Sequence, residues 1–121
     1  MSNVNSARRK KELVPLGRTQ FLDKVAAGHS KSMARRKHCD HHGFDGRSTQ
    51  IKQKTGLSYI AENAYMFPAR RYDARVAKEL VRGWLRSPGH RNNLLNPEFK
   101  RTGIGINVRK DYVYATQIFT D

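Results

Sequence analysis

Two glycines, two residues apart near the C-terminus, constrain this chain more than any other feature. In TGIGINV (102–108), Ile104, Ile106 and Val108 alternate with small or polar residues, the period of a half-buried strand. Gly103 and Gly105 share one face and give it no side chain, so another element must pack closely there. Polar RKD separates this run from YVYATQIF (112–119), rich in β-branched and aromatic residues. The pair predicts a terminal hairpin.

What lies before the hairpin is mostly helical in pattern. Thr19 is placed to cap a helix, and Leu22, Val25, Ala26, His29 and Met33 recur at three- and four-residue spacing. That helix should fade by Lys37, where Arg35, Arg36 and Lys37 suit its negative C-terminal end. CDHHGFDGRSTQ is a polar loop, followed by a short helix over about 48–54 that stops at Gly56. The first part of LSYIAENAYMF reads as an extended segment leading into Glu62. The strongest helix runs over about 72–86, with Asp73 in its first turn and Val76, Ala77, Leu80 and Trp84 facing the core. Arg75, Lys78, Arg82 and Arg86 line another of its faces, either a solvated face or part of a polyanion-binding surface. Residues 1–18 read as a basic, loosely structured segment that Pro15 and Gly17 keep out of a long helix.

Helices, one interposed extended segment and a terminal hairpin make an α+β layout. The chain of 121 residues, 37% apolar, fits a single domain over 1–121 with a modest core. Cys39 is the one cysteine, so no internal disulfide stabilises it, and a lone thiol is expected to be a small buried hydrophobe. No apolar run is long enough to cross a bilayer. MSNVNSARRKKEL lacks the apolar core of a secretion signal. If Met1 is the native start, a cytoplasmic or virion-associated location is expected.

The net charge is +14, from 24 Lys and Arg against 10 Asp and Glu. It is uneven: residues 1–37 hold ten basic side chains against Glu12 and Asp23. Such a balance favours anionic partners such as nucleic acid, anionic lipid or wall polymers. The sequence shows no helix-turn-helix, zinc-finger or RNA-binding signature to specify one of them.

Three groups carry candidate chemistry. In SPGHRNNLLNP, Ser87 suits an N-cap, Pro88 the first helical position, and His90 falls at the third. There the helix dipole lowers its pKa, leaving a neutral imidazole able to ligate a metal or accept a proton. HCDHH places His38, His41 and His42 beside Cys39 and Asp40, too tightly spaced for a closed zinc site. One of them joining a distant partner is the better reading. Glu62, flanked by apolar residues in IAENAY, needs a partner if it faces inward.

The order of these landmarks resembles the CAP superfamily (cysteine-rich secretory proteins, antigen 5 and pathogenesis-related 1) in its short prokaryotic SCP-like form. The matching pieces include AAGHSKSM (26–33), HHGFDG (41–46), AENAY (61–65), GWLRSPGHRNNLLNPEFKRTGIGI (83–106) and ATQIF (115–119). W-x-x-SPGHR-x-NLLNP followed by G-x-G is the specific part. The resemblance implies a three-layer α-β-α sandwich, with a small antiparallel sheet between helices and a central cleft of histidines and acids. It assigns the first cleft histidine to His41, through H-x-x-x-D-G, the acid to Glu62 and the second histidine to His90. Ala61 stands where the family has Gly. Ser87 stands where many members carry a second acid.

The implied site is His41 and His90 as ligands to a divalent cation such as zinc, with Glu62 as a third ligand or as a group that orients one imidazole. The resemblance also implies a protein that is usually secreted. The expected function is a non-enzymatic ligand- or partner-binding module, with Ser87, His41, Glu62 and His90 lining its cleft. The alternatives are a basic nucleic-acid-binding protein and a metal-dependent hydrolase.

Overall fold

The computed structural model describes residues 2–121. The elements in chain order are α1 (Ser2–Lys10), β1 (Gly17–Arg18), α2 (Gln20–Arg36), α3 (Phe44–Thr55), β2 (Ile60–Pro68), α4 (Ala74–Arg86), α5 (Pro88–Leu94), β3 (Arg101–Arg109) and β4 (Tyr112–Thr120). The strands form one sheet in the order β1-β3-β4-β2. β3 pairs antiparallel with β4, and β4 antiparallel with β2, while the two-residue β1 adds a parallel edge beside β3. The sheet is therefore mixed, where an antiparallel one was expected.

Helices cover both faces of the sheet, giving the α-β-α sandwich. On one face Leu22, Val25 and Ala26 of α2 and Ile51 of α3 pack with Ile118, and Met33 and Ala34 pack with Ala64 and Tyr114. On the other, Leu80, Val81 and Trp84 of α4 and Leu94 of α5 pack with Ala115 and Phe119. Successive side chains of β4 serve opposite faces, so the strand is buried from Val113 to Thr120.

The glycine face of β3 receives α2. A methyl group at Gly103 would overlap the backbone of Leu22 and Asp23, and one at Gly105 the backbone of Ala26 and Ala27. Asp23 accepts the Ile104 amide at 2.9 Å, and the Ser30 hydroxyl donates to the Gly105 carbonyl at 2.8 Å. Thr19 caps the helix by accepting the Leu22 amide, as its sequence position predicts.

Three expectations need correction. Residues 1–18 are not loosely structured: Ser2–Lys10 is helical, and Arg8 is fully buried. The Arg8 guanidinium donates to the carbonyls of Val14 (2.8 Å), Leu94 (2.8 Å), Asn96 (3.0 Å) and Phe99 (3.2 Å). Four carbonyl acceptors offset the cost of burying that cation, and they fasten α1 to the turn after α5. Cys39 is exposed rather than buried. Ser87 occupies the N-cap position of α5, but its side chain makes no capping hydrogen bond; its carbonyl accepts the Arg91 amide instead.

Gly105→Ala is expected to cost at least about 2–3 kcal/mol in urea denaturation, because backbone, which cannot swing aside, occupies the space. Gly28, helical and with nothing near its missing side chain, gives the contrast. Gly28→Ala should be neutral or stabilise by about 0.5–1 kcal/mol.

Candidate functional site

Glu62 lies on β2, the edge strand, and its side chain points to the α2–α3 side with only 1% exposed. Burying a carboxylate requires partners, and three groups supply them. His41 Nδ1 donates to Oε2 at 2.8 Å; Arg47 donates Nε to Oε1 at 2.7 Å and Nη2 to Oε2 at 2.8 Å. His29 Nε2 sits 4.0 Å from Oε2. Burial alone would raise the Glu62 pKa, but the hydrogen bonds from His41 and Arg47, with the charge of Arg47, hold it below the usual carboxylate range. Both oxygens are committed. The arrangement is that of a carboxylate orienting a histidine, and a third-ligand role would have to displace Arg47.

The loop carrying His41 is pinned from several sides. His29, buried on the core stripe of α2, donates Nε2 to the Asp40 carbonyl at 2.7 Å. Arg36 grips the Asp40 carboxylate at 2.6 and 3.1 Å, and Asp40 accepts the His42 amide at 3.1 Å. Arg47 Nη1 donates to the His42 carbonyl at 2.7 Å. Sequence reasoning missed His29 and Arg47 as site residues. The signals were present: His29 was a polar residue on an apolar stripe, and Glu62 required a cation.

His41 and His90 are poised differently. Its hydrogen bond to Glu62 raises the His41 pKa above the usual histidine value. Burial, then the nearby charge of His41, lowers that of His90. The direction is the one expected from the sequence, and burial is its leading cause. His90 Nδ1 is buried and has no hydrogen-bond partner among the described residues. The helix turn that carries it is tied to β2 by Asn63, which donates Nδ2 to the His90 carbonyl at 3.0 Å and accepts from Asn93 at 2.9 Å. Adjacent residues on β2 point to opposite faces. Glu62 thus holds His41 from one side of the sheet edge, and Asn63 holds α5 from the other.

Among the described residues, the Ser87 side chain makes no hydrogen bond to any of these groups. His38 and His42 are exposed and stand outside the constellation. Among the described residues, no group of three or more His, Cys, Asp or Glu side chains is arranged to hold a metal ion.

The sequence model of the Cysteine-rich secretory protein family (CAP) matches residues 1–119. The chain belongs to the CAP family. It is 30% identical over 118 residues to the uncharacterized protein YkwD of Bacillus subtilis, covering 97% of this chain and 42% of that protein. It resembles the structure of an extracellular protein containing an SCP domain from Bacillus anthracis, with 32% identity, a TM-score of 0.72, and coverage of 97% of this chain and 37% of that one. The structure of NaASP2 with Zn2+ shares the fold at 16% identity and a TM-score of 0.64, covering 88% of this chain and 60% of that one. This CAP chain spans less than half the length of the curated relatives it matches. No helix among its described residues is long and apolar enough to cross a membrane.

Arg47→Ala leaves the Glu62 charge buried with His41 as its one hydrogen-bond partner and is expected to cost about 3 kcal/mol at neutral pH. Because the folded pKa of Glu62 lies below its unfolded value, its contribution is present above the unfolded pKa and is lost as pH falls through the folded one. Arg47→Ala removes much of that depression, so its stability deficit should narrow from pH about 7 to pH about 3 in denaturant titrations.

Proposed function

We propose that this CAP domain is a non-enzymatic binding module. Its cleft, between His41 and His90, takes a ligand or partner and holds a divalent cation such as zinc weakly. The observation that carries the reading is the engagement of Glu62. Arg47 and His41 occupy both of its oxygens, so the one buried carboxylate of the cleft is not free to act as a general base.

The same bond favours binding. With Nδ1–H committed to Glu62, neutral His41 keeps its Nε2 lone pair for a ligand, as metal-bound histidines do when a carboxylate orients them. His90, held largely neutral near pH 7 by burial, offers a second imidazole. A cation bound here would polarise an oxygen of whatever entered the cleft. Two imidazoles without a free third protein ligand make a weak site. The fold shared with NaASP2, solved with Zn2+, supports this assignment. The metal-dependent hydrolase alternative needs a base that Glu62, as held, does not supply.

Calorimetric titration of zinc into the wild type and into His41→Ala/His90→Ala tests the reading. Heat should appear with the wild type and vanish in the double variant; equal heats would remove the cleft as a metal site. The raised His41 pKa adds a signature: protons compete for its imidazole, so affinity should rise from pH about 6 to about 8.

A further inference from the structure

A groove of about 500 Å³ runs between α1, α4 and α5 and shares no residue with the cleft. Five cations line it: Lys10 and Lys11 at the end of α1, Lys78 and Arg82 on α4, and Arg91 on α5. No acidic residue lines it. Glu79, just outside, pairs with Arg82 at 3.1 Å, but Lys10, Lys11 and Lys78 enter no ion pair among the described residues. Its apolar lining comes from Leu85 and Leu95, with the edge of the nearly buried Val81.

Five like charges around one concavity repel one another, and the net charge of +14 makes the local cost larger. Arg82 is paired with Glu79 and Arg91 donates to the Leu85 carbonyl at 3.4 Å, but Lys11 and Lys78 have no such partner among the described residues. An anion relieves the repulsion, and its kind follows from the number and layout of the charges. A single headgroup satisfies one or two cations. Here Lys78 and Arg82 follow one another at about 6 Å along α4, Lys10 and Lys11 line the same groove from α1, and Arg75 extends the row towards a neighbouring depression, where Arg70 and Arg71 already pair with Asp111 and Asp73. That layout fits a chain of phosphates. The apolar lining distinguishes among such chains: a nucleobase can place its flat face against Leu85 and Leu95, whereas a polyol phosphate has no comparable surface.

We propose that the α1–α4–α5 groove binds single-stranded nucleic acid along its phosphodiester backbone. The volume is that of a site for one drug-sized molecule, enough for the bases of about one or two nucleotides, with flanking phosphates reaching the cations at its rim, and too small to enclose a duplex. No aromatic side chain lines the groove, so it lacks the stacking platforms of sequence-tolerant single-strand proteins, and affinity comes mainly from charge. Binding is therefore indifferent to sequence and steeply dependent on salt.

The test is fluorescence anisotropy with a labelled mixed-sequence DNA strand of about 20 nucleotides, over about 50–200 mM salt. Contact with about four phosphates predicts a slope of log K on log salt near about −3. Lys10→Gln/Lys78→Gln/Arg82→Gln should weaken binding at least about tenfold and flatten the slope by about 2. Lys24→Gln/Lys52→Gln/Lys54→Gln removes the same charge from exposed positions elsewhere and should leave the slope within about 1 of wild type. All six positions are exposed, so unchanged melting curves are expected and would separate lost binding from lost folding. Absence of binding at the lowest salt overturns the proposal. So does an equal loss in both triple variants, or equal competition by duplex DNA, poly(glycerol phosphate) or anionic vesicles.

Discussion

The close approach of α2 to the glycine face of β3 is the contact on which the rest of the molecule depends. With no side chains at Gly103 and Gly105, helix backbone meets strand backbone, and Asp23 and Ser30 reach across to hydrogen-bond the strand. That contact fixes the height and rotation of α2. It thereby sets His29, which faces the same side as Val25, Ala26 and Met33, under the loop that carries His41. The His41 site is built outward from a packing constraint made of missing atoms.

Around that frame, the His41 loop is organised by one buried charge. Glu62 stays ionised because Arg47 and His41 hold it, and its charge in turn raises the pKa of His41. Across the edge of β2, His90 is pushed the opposite way by burial. The two imidazoles are shifted in opposite directions, a consequence of which has a carboxylate partner and which does not.

The parts legible in the sequence were those governed by local rules. The alternation around Gly103 and Gly105, the Thr19 cap and the Gly56 stop each follow from one or a few neighbouring residues. Asp73 caps α4 by accepting the Val76 amide, one position earlier than the predicted first-turn placement. Parts decided by distant partners were not legible. Arg8 sits in a run of four cations, ARRKK, and nothing in that run distinguishes the one that is buried. Its acceptors are Val14, Leu94, Asn96 and Phe99, three of them more than eighty positions away. Arg47 escaped notice for the same reason: its partner lies fifteen positions on. The need of Glu62 for a partner was legible, but the identity of that partner was not. Ser87 shows the converse, a residue of capping type at a capping position whose hydroxyl does not cap.

The central claim is that Glu62 orients His41, leaving Nε2 available, and leaves His90 without a carboxylate partner. Nitrogen-15 spectra of the histidine rings, recorded across a pH titration, test it most directly. The account predicts His41 as the Nδ1–H tautomer when neutral, titrating above about 6.5, and His90 titrating below that value. An Nε2–H tautomer at His41 with a pKa at or below about 6.5 would contradict it.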